Sequence, residues 1–198
     1  MRRAWRYRWA LVLALGVSAC GLLGGSDPAP PAPLALPVDD DSRLPWAENE
    51  EWFVVVRKSC RSLDLYRHGI RVDSFPAVFG LAGTLASKLY EGDLRTPSGL
   101  YMVIDIRPHQ RWRYFMLLDY PNVQDVHRYW VAMEEGRIPM RGDRYARMGG
   151  AIGIHGTDKP ELNARDEDWT LGCISLANQD VETLAVLVPI GTLVLIED

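Results

Sequence analysis

Cysteine is scarce in this chain of 198 residues: there are three, at positions 20, 60 and 173, and none stands in a CxxC spacing. A fold stapled by disulfides is normally denser in cysteine, so that class is excluded, while a single Cys60–Cys173 pairing stays open. HExxH, GxSxG and P-loop sequences are missing. One candidate cysteine and one candidate histidine are too few ligands for a tetrahedral zinc site, so none is expected. Long apolar runs are lacking as well. The run from about Trp9 to Ala19 is far shorter than the roughly 20 residues a spanning helix needs. Nor is there an excess of basic charge: Lys+Arg number 22 against 26 Asp+Glu, a net charge of -4, which leaves no electrostatic footprint for nucleic acid. No period of solenoid length repeats, which argues against a repeat architecture.

What is present begins with "MRRAWRYRWALVLALGVSACG", four arginines followed by an apolar run and small residues. That order is expected of an export signal over residues 1–19. Val17, Ser18, Ala19 and Cys20 resemble the lipobox of bacterial lipoproteins. The resemblance implies that Cys20 is lipidated and anchors the chain to a membrane. Gly21 after it implies the outer membrane, with the protein facing the periplasm. Removing residues 1–19 takes away four arginines and no acids, which moves the net charge from -4 to -8. Residues 20–51, rich in proline, alanine and acids, read as an extended tether that cannot bury enough apolar surface to fold alone.

Residues 52–198 fit one domain. "WFVVVRK", "SLDLYRHG", "IRVDSFPAVFG", "GLYMVIDIR" and "RYFMLLDY" are short β-branched or aromatic runs bounded by Gly, Pro or Asp, the pattern of strands. His68-Gly69 sits where a hairpin turn is expected. After Asn178, read as a helix N-cap, Val181, Leu184, Ala185 and Val188 recur at helical spacing, and "GTLVLIED" reads as a closing strand. The expectation is a mainly β domain with one or two short helices.

Chemistry narrows to few residues. His68, His109 and His127 lie in turn-like or polar stretches that read as surface, whereas His155 leaves the apolar run "AIGI" and precedes Gly156. Cys173 lies in "DWTLGCISLAN". A thiol is only a few per cent thiolate at neutral pH, so a nucleophilic cysteine needs a histidine beside it. Eighteen positions separate His155 from Cys173, and spacing alone leaves Cys173 either a nucleophile or a small buried apolar residue. Cys60, at the start of a strand-like run, reads as a buried or half-buried structural thiol. Asp166, Glu167 and Asp168 read as a solvated loop. Arg141, Arg144 and Arg147, just before the His155 run, are candidates for pairing with a substrate carboxylate.

"IHG", a loop, "TLGCISLAN", a helix and "GTLVLI" together resemble the catalytic core of the L,D-transpeptidases, the YkuD-type domain. "FPAVFG", "GDLRTPSGLYMV" and "DYPN" extend the resemblance upstream, so that it covers residues 52–198. It implies a β-sandwich of mixed sheets. It implies Cys173 as nucleophile, His155 as its base, the backbone at Gly156 or Thr157 orienting the imidazole, and amides near Gly172 and Cys173 as an oxyanion hole. The implied reaction is acyl transfer from a peptidoglycan tetrapeptide stem, through a thioester, to an amine or to water, with no metal and no cofactor. Thr170, Ser175 and Asn178 join Arg144 and Arg147 as candidate substrate contacts. An envelope lipoprotein is a further candidate acceptor or substrate. Leu171 stands where many members have a second histidine, and Ser175 where many have arginine. Those departures keep a hydrolase and a catalytically silent peptidoglycan-binding lipoprotein as alternatives.

Overall fold

The computed structural model describes residues 42–84 and 86–198, all within one compact unit. The expected signal peptide, Cys20 and the tether as far as residue 41 lie outside the described residues. Three strands open the domain: β1 (Trp52–Arg57), β2 (Ser62–Arg67) and β3 (Ile70–Pro76). β1 pairs with β2 and β2 with β3, both antiparallel. The β2–β3 turn is His68-Gly69, both at positive φ (50° and 73°), the backbone that a two-residue hairpin of matching twist demands.

In β1, Val54 and Val56 face one core cluster, while Phe53 and Val55 face another that also contains Leu44 and Ala47. Both faces of β1 are therefore covered. The outer cover is a 3-10 turn, Pro45–Ala47, with Trp46 packed edge-on against Phe53 at 4.8 Å. This corrects the expected tether boundary at Glu51: the last residues before β1 belong to the fold. Their acidic, proline-containing composition hid two apolar side chains, Leu44 and Ala47, that find a buried seat.

β4 (Gly99–His109) is the longest strand and joins two parts of the sheet. Its first residues pair with β10 (Leu193–Glu197), and from Val103 onward it pairs with β5 (Arg113–Leu118) across a register shift. Such an irregularity bends a strand and increases its twist. With β8 (Gly153–His155) and β9 (Ile174–Ser175), the order is β3-β2-β1-β10-β4-β5-β8-β9. The β1/β10 and β8/β9 pairs are parallel and the others antiparallel, so the sheet is mixed. Val54 and Leu65 from one side and Met116, Ile154 and Ile174 from the other meet in one core. The domain is mainly β, as expected, with both sides of one curled sheet closing over a shared interior. β6 (Met140–Arg141) and β7 (Arg144–Tyr145) form a separate small hairpin.

Among the described residues there are three α-helices rather than one or two: α1 (Val123–Glu134), α2 (Pro160–Asn163) and α3 (Asn178–Leu187). The sequence conceals α1 because only Asp125 and Ala132 of it are buried, and Val123, Val126 and Trp130 face outward. Its start is instead secured by a capping box between Asn122 and Asp125. α3 packs on β5 and β8 through Val181 and Leu184. Its N-cap is Ala177, without a side-chain bond, so Asn178 is not the cap expected of it.

Candidate active site

β8 lies between β5 and β9, with His155 opposite Phe115 on one side and Ser175 on the other. Side chains alternate along a strand. Ile154 and Ile174 therefore enter the core, and His155 and Ser175 share the opposite face. Glycine permits the tight backbone approach around His155. A Cβ at Gly153 would lie 2.5 Å from the Met116 carbonyl oxygen, and one at Gly156 would lie 2.2 Å from Asn178 Oδ1 and 2.5 Å from the Trp112 carbonyl oxygen.

The imidazole of His155 is enclosed by aromatic rings. Trp112 stacks on it at 4.3 Å, Phe115 at 5.9 Å, and Trp169 meets it edge-on at 5.7 Å. His155 Nδ1 lies 2.6 Å from the Gly156 carbonyl oxygen. A carbonyl can only accept, which assigns the proton to Nδ1 and leaves the Nε2 lone pair free. The same carbonyl lies 3.3 Å from Ser175 Oγ. Burial pushes the imidazole down to about 4 from its ordinary 6.5, against the opposing pull of the Gly156 carbonyl. His155 is therefore a neutral imidazole at physiological pH.

Cys173 stands one residue before β9, at the end of a loop pinned from several directions. Asp168 accepts hydrogen bonds from the Phe79 amide (2.8 Å) and from Arg61 (2.6 Å). The Thr170 amide donates to Phe79, the Leu81 amide to Thr170, and Val78 exchanges backbone bonds with Ser175. Asp168 is thus a structural anchor rather than the solvated acid expected. Gly172 adopts φ 137°, and a Cβ there would lie 2.6 Å from the Arg95 carbonyl oxygen. Its amide donates to Thr170 Oγ1 at 3.1 Å, and that hydroxyl donates to the Cys173 carbonyl at 2.7 Å. The Gly172 amide is therefore occupied, which removes it from the expected oxyanion hole. Among the described residues, no backbone hydrogen bond engages the Cys173 amide. Cys173 Sγ lies 3.6 Å from the Ala151 carbonyl oxygen, and burial pushes the thiol up to about 11.

His155 and Cys173 line one cleft of about 840 Å³. Trp112, Trp169, Leu171 and Ile152 contribute apolar wall, and Gly149 and Gly150 line it without side chains. Arg144 and Arg147 do not line it. Arg144 is exposed on β7, and Arg147 points outward beside Glu91 at 3.6 Å. The cations that do line the cleft are Lys88, Arg107, Arg111, Arg141 and Lys159. Of these, only Arg141 belongs to the basic run singled out in the sequence; the other four come from three further places in the chain, Lys88, the β4–β5 hairpin and Lys159. His109, read as a surface residue, also lines the cleft and stacks on Trp112 at 4.6 Å.

The other candidate contacts are mostly scaffold. Ser175 is fully buried, and Asn178 clamps Thr157 by accepting from its amide (2.8 Å) and donating to its carbonyl (2.9 Å). Of Thr170, Ser175 and Asn178, only Thr170 lines this cleft. Leu171 is 72% exposed at its edge. Cys60 is exposed in the β1–β2 turn, a correction to its expected burial, and both Cys60 and Cys173 are free thiols. No helix among the described residues is long and apolar enough to cross a membrane.

Solved structures share this fold, two of them as follows. One is Bd1075 of Bdellovibrio bacteriovorus, 18% identical, with a TM-score of 0.53 over 79% of this chain and 51% of that one. The other is the helical cell shape determining protein Pgp2 of Campylobacter jejuni, 24% identical, with a TM-score of 0.52 over 74% of this chain and 47% of that one. This chain thus spans about half the length of either structure. No curated protein matches it. The model of the YkuD family, the L,D-transpeptidase catalytic domain, matches residues 50–196 and so takes in the curled sheet, short only of the last residue of β10, and the whole cleft; the chain belongs to that family.

Proposed function

We propose that the chain is a cysteine-dependent acyltransferase acting on peptidoglycan stem peptides. One observation carries the reading: His155, the last residue of β8, and Cys173, one residue before its parallel neighbour β9, open onto a single cleft, with the free lone pair of His155 at Nε2. Burial keeps both groups neutral, so the thiol is activated as it attacks rather than resting as an ion pair. The Cys173 sulfur forms a bond to the diaminopimelate carbonyl of a tetrapeptide stem while its proton passes to His155 Nε2. The free Cys173 amide is placed to donate to the developing oxyanion. Collapse of the tetrahedral intermediate breaks the bond to D-alanine, whose amine takes the proton from His155. The thioester is then attacked by an acceptor amine, its proton going to His155, and the thiol is regenerated.

A second reading has water as the acceptor. It is favoured by Leu171, an exposed apolar residue beside Cys173 that can neither donate nor accept a hydrogen bond to an incoming amine. Incubation with tetrapeptide muropeptides separates the two. Cross-linked dimers establish transfer to an amine, tripeptide with free D-alanine establishes hydrolysis, and unchanged tetrapeptide overturns both. The "VSAC" stretch further supports a lipid anchor at Cys20 and a periplasmic location at the outer membrane. Cys20→Ala should then release the protein from membranes, and a variant still wholly membrane-bound would contradict the anchor.

A further inference from the structure

Five cationic side chains line the cleft, while Glu91 is the one carboxylate there, in a chain whose net charge is negative. Three of the five are already matched by acids: Lys88 by Asp93 at 2.7 Å, Arg111 by Asp158 at 2.6 Å, and Arg107 by Asp105. Arg141 and Lys159 are different. Arg141 Nη2 donates to the neutral Glu91 carbonyl at 2.8 Å, and Lys159 Nζ stands over the Trp169 ring at 5.0 Å. Among the described residues, neither forms an ion pair. Both are seated rather than loose. Gly92, at φ 88°, leaves room where a Cβ would lie 2.4 Å from Arg141 Nη2. The indole under Lys159 holds the ammonium by cation–π attraction, and both residues line the cleft. That same indole touches His155 edge-on, so the Lys159 charge is one ring away from the imidazole.

Resting on the acyl-transfer reading, we infer that Arg141 and Lys159 select donor stems whose carboxyl groups are free acids over stems in which those groups are carboxamides. A carboxylate offers acceptors only, and its bonds to guanidinium or ammonium are charge-assisted. A carboxamide removes the charge and turns an NH₂ donor toward groups that are themselves donors. The glycine slot at Gly92 and the Trp169 platform place the two cations on different elements of the cleft, so two separated carboxylates of one peptide are read together.

Calorimetric binding to the full-length Cys173→Ala protein tests this without turnover. The probes are a tetrapeptide stem with free isoglutamate and diaminopimelate carboxyls and the same peptide with both amidated. Amidation should weaken binding roughly tenfold or more, as loss of a charge-assisted bond predicts. In the Arg141→Gln/Lys159→Met double variant the two peptides should bind within about twofold of each other, with affinity for the amidated peptide kept. That retained affinity shows that the cleft is still folded. Equal binding by the parent protein, absence of binding by the free-acid peptide, or a preference that survives the double substitution would overturn the inference. The acyl-transfer reading fails separately, if intact Cys173 protein forms no thioester with either peptide.

Discussion

The β1–β2–β3 side of the sheet and its β8–β9 end are held together by different forces. On the first side, strands of six and seven residues pair along their length, and β1 is buried on both faces. At the other end, β8 has three residues and β9 two. What the short ladders lack is supplied by side chains bonded to backbone: Asn178 to Thr157, Thr170 to Gly172 and Cys173, and Asp168 to Phe79. Apolar burial makes the first side stable but offers it no chemistry. The second holds a neutral histidine and a neutral thiol in fixed places, by bonds that can each be removed by one substitution.

Substitutions should therefore separate function from stability. The largest effect is expected at the short end. His155→Gln should lower turnover by roughly 10²–10⁴, the range for losing a positioned general base, while thermal stability at neutral pH holds. A comparable loss of stability would move His155 from chemistry to packing. The same residue gives a pH signature. Its imidazole is held down to about 4 in the folded protein against 6.5 in an unfolded chain. Its contribution is therefore fully present above pH 6.5 and is lost as pH falls through about 4. The loss amounts to roughly 3 kcal/mol by linkage. Denaturation of parent and His155→Gln from pH 7 to 4 isolates this term, and curves that stay parallel would contradict it.

On the regular side the signs reverse. Val54→Ala, which opens space in the buried face of β1, should cost roughly 2 kcal/mol of stability and leave turnover of the folded protein unchanged. The smallest effect is at the clamp behind His155. Asn178→Ala removes two bonds to Thr157, expected to cost about 1–2 kcal/mol, with turnover falling further than Val54→Ala makes it fall. If Val54→Ala impaired turnover more than Asn178→Ala, the division between the two regions would not hold.

How much of this was legible in the sequence follows the same division. β1 is read from its β-branched and aromatic run, and β2 and the His68-Gly69 turn from alternation and turn chemistry, because local residues decide them. His155 and Cys173 are recognisable from their glycine neighbours and the ordered motifs around them. α1 was not, since its apolar residues face outward and its start depends on a capping box. Lys159 was not either, and Arg141 stood in the sequence only as one of three neighbouring arginines. Which of those cations faces the cleft is decided by the β6–β7 hairpin and by the loop after β8. Asp168 looked like one acid among three until the fold brought Phe79 and Arg61 to it.

The central claim is that Cys173 accepts an acyl group with His155 as its base. Intact-mass analysis after incubation with a carbapenem tests it most directly, since a β-lactam carbonyl acylates a nucleophilic thiol without needing an acceptor. The account predicts one added carbapenem mass, mapped to Cys173, lost in Cys173→Ala and strongly slowed in His155→Gln. An unmodified protein with its Cys173 thiol free, or an adduct mapped to the exposed Cys60, would contradict it.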